Sequence, residues 1–384
     1  MHLTSITRLW VATFLLYVAS GLVSPLFSIY MSYRGLTPYQ VGLVASIATL
    51  SSIVPIVLIG NLSDMMNREK VQGIIGIGLA ILIPLYTRLD SLPSFALMHS
   101  IYMILSYSYM TLSGAIAMDY IQTLRGSGFG RFRTSGALGW MLGTFLSGWI
   151  VEKANFPVIF YTSSIFFWTS AIMFSLGGLH RKSANEKNIS KVRVEALKKI
   201  VSDSTIYSLL VAIFIASLTT PAYYTFLPLY ITEELKASRF LSSLAFTITP
   251  IAEVPAMIYV GVLSDRISRK RIIAFCLVAY PIRYLLTVLT RNPILVIIVQ
   301  LLHGLTFGGL YVVSIAYLSD SVPEDMKGLT LSFYTIFMNL GVFIGNYIMG
   351  FIVDRFGFDM MYFIAALISF LSLPTLIILS SRRR

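Results

Sequence analysis

The sequence predicts an all-α polytopic membrane protein, with twelve transmembrane helices in two six-helix, pseudo-repeated bundles. Three observations predict it. Hydrophobic residues make up 56% of the 384 positions and charged residues only 12%, against roughly 25% charged in a soluble domain. The apolar residues gather in runs near the length of about 20 that crosses a bilayer as a helix. Short motifs also recur at a fixed spacing of about half the chain.

In chain order the runs centre near residues 20, 50, 79, 107, 143 and 168, then 218, 251, 281, 306, 341 and 370. The first, from Trp10 to Tyr30, is too long for the core of a signal peptide and no small-residue cleavage pattern follows it, so it is the first span. Short polar loops force neighbouring runs antiparallel. In lipid, each run satisfies its own backbone hydrogen bonds as a helix. Residues 1–180 form the first bundle, 181–203 a basic linker that is partly an amphipathic surface helix, and 204–384 the second bundle. An even span count leaves both termini on one side. With that side cytoplasmic, twenty-one of the 29 Lys and Arg residues fall inside, seven outside and Arg283 within a span. This is the bias of a multi-pass plasma-membrane protein with cytoplasmic termini.

Composition also excludes function classes. The net charge of +12 is broken into clusters between apolar runs, so no nucleic acid is expected as a partner. Cys276 is the single cysteine, which rules out an intrachain disulfide or a thiolate metal cluster. The glycines at Gly73, Gly76 and Gly78 lie inside a hydrophobic span, without the strand and helix of a nucleotide-binding loop. No nucleophile, metal or phosphate constellation appears. An enzyme and a bound cofactor are therefore not expected; the partners are a small-molecule solute and the lipid bilayer, and the chain is expected to act as a monomer.

The repeat turns a span count into a mechanism class. Gly60-Asn-Leu-Ser-Asp64 is matched by Gly261-Val-Leu-Ser-Asp265 at an offset of 201, and Asp119 by Asp320 at the same offset. Gly148-Trp-Ile-Val-Glu-Lys153 is matched by Gly350-Phe-Ile-Val-Asp-Arg355 at 202. A six-helix unit repeated in parallel is one plan for secondary transporters, with a solute site near the midplane between the halves and access that alternates by rocking.

Gly261-Val-Leu-Ser-Asp-Arg-Ile-Ser-Arg-Lys-Arg271 resembles the signature loop between the second and third helices of each half in the major facilitator superfamily. The first copy keeps Gly60, Asp64 and Arg68 but has Met65 where an arginine is usual. The resemblance covers nearly the whole chain. Within that superfamily, the stretch from Phe129 through Arg131 and Arg133 to Trp140 resembles the entry to helix five of the lactose-permease, nucleoside and aromatic-acid proton symporters. The match implies a solute-binding fork at Arg133 and a stacking surface at Trp140. Gln300-Leu-Leu-His-Gly-Leu-Thr-Phe-Gly308 is similar to helix ten of the same group, which implies a place for His303 in the polar pathway. Glu253 and Arg283 fall in the helices where those symporters keep a coupling carboxylate and its basic partner. Two departures stand out. No acidic residue follows His303 as in the lactose permease, and Gly136 to Trp149 lacks the glycine-proline signature of drug antiporters.

The residues carry readings of their own. An ionisable group in hydrocarbon costs about 2.5 to 3.5 kcal/mol at a helix centre, so it faces a cavity or a partner. Glu253 lies twelve residues before Asp265, roughly 18 Å along the helix and near the midplane. It is the candidate proton-coupling carboxylate, with Arg283 and His303 as partners; the other reading is a structural Glu253–Arg283 pair. His303 serves as proton relay or solute donor, or is simply hydrogen-bonded to the next helix. Arg133 and Trp140 are two turns apart and share a face. That face points to the solute, or else Trp140 packs among helices while Arg133 snorkels. Asp64, Arg68, Asp119, Asp265, Arg266, Arg269 and Asp320 sit at helix ends on the cytoplasmic side, where carboxylates and arginines act as gates. The expected function is alternating-access symport of a proton with a small polar organic solute such as a sugar, nucleoside or aromatic acid. The alternative is proton-driven efflux of amphipathic compounds.

Overall fold

A computed structural model describes residues 2–120, 125–176 and 203–381. The expected linker at 181–203 lies outside the described residues except for Asp203. Among the described residues, nine helical segments are long and apolar enough to cross a membrane. They are α1 (Ile6–Tyr33), α3 (Arg68–Arg88), α4 (Leu92–Tyr120), α6 (Phe156–Ser175), α7 (Ser204–Glu234), α8 (Arg239–Arg266), α9 (Arg269–Thr290), α10 (Pro293–Ser321) and a last segment, Lys327–Leu376. Two further long helices, α2 (Pro38–Met65) and α5 (Arg125–Lys153), complete the first half. The last segment is broken at Gly357, whose φ of 82° and ψ of 173° suit only glycine. It therefore divides into α11 (327–356) and α12 (358–381), which makes twelve rods, consistent with the predicted count. The described residues contain no strand.

Local chemistry places the boundaries. Asn67, Asn155, Asp203, Ser238 and Asn292 are N-caps whose side chains accept from the first free N–H groups of α3, α6, α7, α8 and α10. Proline breaks two rods internally. Pro25 sits in a 3₁₀ turn of α1 at Ser24–Leu26, and α7 is interrupted before Pro221, because proline has no N–H to give the preceding turn. Neighbouring tyrosines take up carbonyls of the broken helix: Tyr284 donates to Thr219 O at 2.8 Å and Tyr362 to Ala222 O at 3.0 Å.

Arg8 marks the proximal end of the first half, where α1 begins. Its guanidinium donates to Met173 O at the end of α6 and to Glu69 Oε1 at the start of α3, and it reaches the Tyr120 hydroxyl at the end of α4. The distal end gathers the opposite termini, with Tyr30 donating to Tyr86 O and packing on Phe95, Phe156 and Phe160.

Within each half the helices approach through small residues. A Cβ on Gly139 or Gly143 of α5 would fall closer than 3.0 Å to the α1 carbonyls of Phe14 and Val18. Gly341 and Gly345 of α11, at an offset of 202, meet the α7 carbonyls of Phe214 and Leu218 in the same way. Small residues four apart let backbones touch where burial from water gives no driving force. The repeat therefore preserves a packing device as well as a motif.

The halves meet along two seams, α2 with α11 and α5 with α8. An offset of 201 maps α2 onto α8 and α5 onto α11, so the two seams are one contact made twice. On the first, Gly42 lies against Asn346 and Gly350, and Ser46 donates to Phe343 O at 2.6 Å. On the second, Gly148 lies against Phe240 and Ser243, and the Thr144 and Thr247 hydroxyls bond at 3.0 Å. Ser32 and Glu233, themselves 201 apart, hydrogen-bond across the halves. All of these ties lie toward the distal end.

Candidate functional site in the gap between the halves

Beyond Thr144, toward the proximal end, α5 approaches the rest of α8 (249–266) far less than it does the distal part (239–247), which leaves a gap between them. At about 100° per residue, Arg133, Trp140 and Thr144 fall within roughly 40° of each other around α5. Since Thr144 touches α8, the face that carries Arg133 and Trp140 is turned to the other half. Arg133 is exposed and Trp140 half-buried, as expected of side chains lining a gap.

Glu253 reaches the gap from the other side. It is half-buried on α8, and a Cβ on Gly308 of α10 would stand 2.9 Å from its Cγ. Arg133 of the opposite half lies within electrostatic range of Glu253, and Tyr17 on α1 lies within range of both. Arg133 and Glu253 are not in ion-pair contact. Tyr107, Tyr224 and Tyr311 are 38 to 41% exposed although each sits well inside its helix, and Tyr224 lies within electrostatic range of both Glu253 and Tyr107 of the opposite half.

Arg283 lies behind this surface and is buried. Its Nε and Nη2 both donate to Gln300 Oε1 at 2.9 and 2.7 Å. Its Nη1 bonds Thr306 Oγ1 at 3.1 Å and His303 Nδ1 at 3.0 Å, and the guanidinium carbon lies 4.2 Å from the Tyr223 ring centroid. The His303 Nε2 faces the Tyr224 hydroxyl at 3.5 Å, and its ring stacks on Phe307 at 5.3 Å. The direct Glu253–Arg283 pair considered from sequence is not formed. Among the described residues no carboxylate lies within 4.0 Å of Arg283, because α10 stands between it and α8 and supplies the acceptors. Neutral acceptors and an aromatic face thus hold a buried cation.

The residues predicted as gates divide between the halves. Arg68 Nη1 pairs with Asp119 Oδ2 at 2.7 Å within the first half, and Arg269 pairs with Asp320 within the second. Both partners are displaced by 201, so the repeat copies the ion pair. Arg269 also reaches Asp265 at 3.6 Å. Arg266 is exposed at the end of α8, and the Asp64 side chain lies outside the described residues. Sequence reading missed Gln300, Thr306 and Tyr223 around Arg283. It also missed the buried Arg8–Glu69 pair, for which an acidic residue at the tenth position of the first motif copy, where the second copy has Lys270, was the available signal.

The chain matches the MFS_1 like family over residues 6–365. It belongs to that family. It is a multi-pass membrane transporter of the major facilitator type, not an enzyme. Multidrug resistance protein MdtG of Salmonella arizonae is 23% identical over 374 residues, covering 94% of this chain and 92% of its own length. Its counterpart in Serratia proteamaculans is 21% identical over 367 residues, at 94% and 89%. Among solved structures, a mutant form of the nucleoside transporter NupG superposes with a TM-score of 0.85 at 14% identity, covering 98% of this chain and 99% of its own. A bacterial homolog of the human lysosomal transporter Spinster, in an inward-facing and unoccupied conformation, gives 0.74 at 13% identity, covering 99% and 95%.

Proposed function

We propose that this transporter is a proton-coupled symporter that brings a small polar organic solute, of the sugar, nucleoside or aromatic-acid class, across the plasma membrane. The observation that carries the reading is the placement of Arg133 and Glu253 on opposite halves, facing one gap. Rocking of the halves changes the separation of these two charges, so the proton occupancy of Glu253 and the access state are linked. Closing the gap over a bare carboxylate costs several kcal/mol in desolvation; a proton, or close approach of Arg133, removes that cost. The Trp140 ring and the Arg133 fork offer stacking and paired donors to a ring-bearing solute. With cytoplasmic termini, the distal seam faces outward and the gap opens inward. Arg68–Asp119 and Arg269–Asp320 then brace the inner helix ends of each half while it moves, and the chain works as a monomer.

The test uses protein in liposomes with radiolabelled uridine, lactose or phenylalanine. Uptake is expected only with an inward proton gradient. Glu253→Gln is expected to abolish gradient-driven accumulation while equilibrium exchange persists. Uptake by the unaltered protein that ignores the gradient would remove the coupling. The second reading, efflux of amphipathic compounds, is favoured by the relatives named as multidrug resistance proteins; dye extrusion from expressing cells, lost in Glu253→Gln, would establish it instead.

A further inference from the structure

Glu253 and Arg283 do not touch, yet a single stretch of α10 touches both. That stretch, Gly304–Gly309, is wound as a π-helix, a form that is rare, inserts one residue into the turn and concentrates at functional sites. On one side it receives α8. A Cβ on Gly304 would lie closer than 3.0 Å to Ala252 O, and one on Gly308 would lie 2.9 Å from Glu253 Cγ and 3.1 Å from Glu253 O. On the other side it is gripped by α9. Tyr280 donates its hydroxyl to Thr306 O at 2.5 Å, and Arg283, one turn along the same face of α9, bonds the Thr306 hydroxyl and His303.

We propose that Tyr280 and Gly308 are positioning residues for Glu253. The Tyr280 phenol pins the widened turn of α10, and Gly308 leaves the space in which the stem of the Glu253 side chain is seated. The environment of the carboxylate is thereby set from behind by the same turn that holds the Arg283 cluster. The titratable and charged groups within electrostatic range of Glu253 are Arg133 of α5, Tyr17 of α1, and Tyr223 and Tyr224 of α7, whereas the α10 position against its side chain is Gly308 and carries no charge. A methyl group at residue 308 pushes Glu253 off that seat. Loss of the Tyr280 hydroxyl frees Thr306 O, so the turn and its glycine shift together.

This inference rests on the reading of Glu253 as the titrating group, and the experiment separates the two. Infrared difference spectra of the protein in liposomes are titrated with pH, and the carboxyl band that vanishes in Glu253→Gln is followed. Gly308→Ala and Tyr280→Phe are each expected to move its midpoint by about one pH unit, a tenfold change in proton affinity. Tyr284→Phe is the control, since it removes a bond to Thr219 from the same helix without touching the turn, and its midpoint stays. If the unaltered protein shows no Glu253-dependent band, the coupling reading fails. If the band is present but neither variant moves it, or Tyr284→Phe moves it equally, the positioning role is overturned while the coupling reading stands.

Discussion

Replacing Gly42 with alanine strains the distal seam where α2 meets α11. The added methyl group would fall closer than 3.0 Å to Asn346 O, 3.1 Å from Gly350 Cα and 3.2 Å from the Phe226 ring. Two of these three neighbours are backbone, so side-chain rotation does not relieve the clash. Overpacking of this kind typically costs about 1 to 3 kcal/mol. The cost falls only on the state in which the seam is closed, because the halves separate there when access alternates. At about 1.4 kcal/mol per factor of ten, the balance moves toward the distal-open state by roughly 5- to 150-fold. Spin labels on cysteines at Asp90 and Arg355, both exposed at distal turns of opposite halves, report this directly. The single native cysteine, Cys276, is buried and leaves the background clean. Pulsed dipolar distances should gain a longer population in Gly42→Ala that is minor in the parent. A folded variant with an unchanged distance distribution would refute a close-packed seam at Gly42.

Two further outcomes are expected. Glu69→Gln breaks the pair with Arg8, in which the glutamate side chain is 2% and the arginine 17% exposed. Loss of one buried partner costs about 3 to 5 kcal/mol, so the melting temperature in detergent should fall clearly, and Arg8→Met with Glu69→Met should recover part of the loss. A double-mutant cycle of Thr144→Val and Thr247→Val should show a coupling of about 1 kcal/mol for their hydroxyl contact, read as distal closure with the same label pair; additive effects would mean that the contact is not made.

Much of the architecture was legible before any coordinates. Run length identified the spans, and the 201 to 202 offset identified the halves. The same offset matched Asp119 to Asp320 and singled out Arg68 and Arg269 in the repeated loop, but that each arginine meets the aspartate 51 residues on was decided only by the packing of the helices. The face of α5 was legible only in part. A seven-residue spacing placed Arg133 and Trp140 together, and the Thr144 contact with α8 was needed to show which way that face points.

The sequence by itself determined what is local or periodic: helix from span length in lipid, caps from Asn, Asp and Ser, breaks from proline, and two homologous halves from the repeat. Tertiary structure decided which apolar faces meet. A helix that is apolar on all sides carries no signal separating lipid from a neighbouring helix. The partner of a buried charge is likewise set by approach in space. Arg283 therefore rests on Gln300, His303 and Thr306 with Glu253 held apart from it, because the glycine-lined turn of α10 fits between α8 and α9.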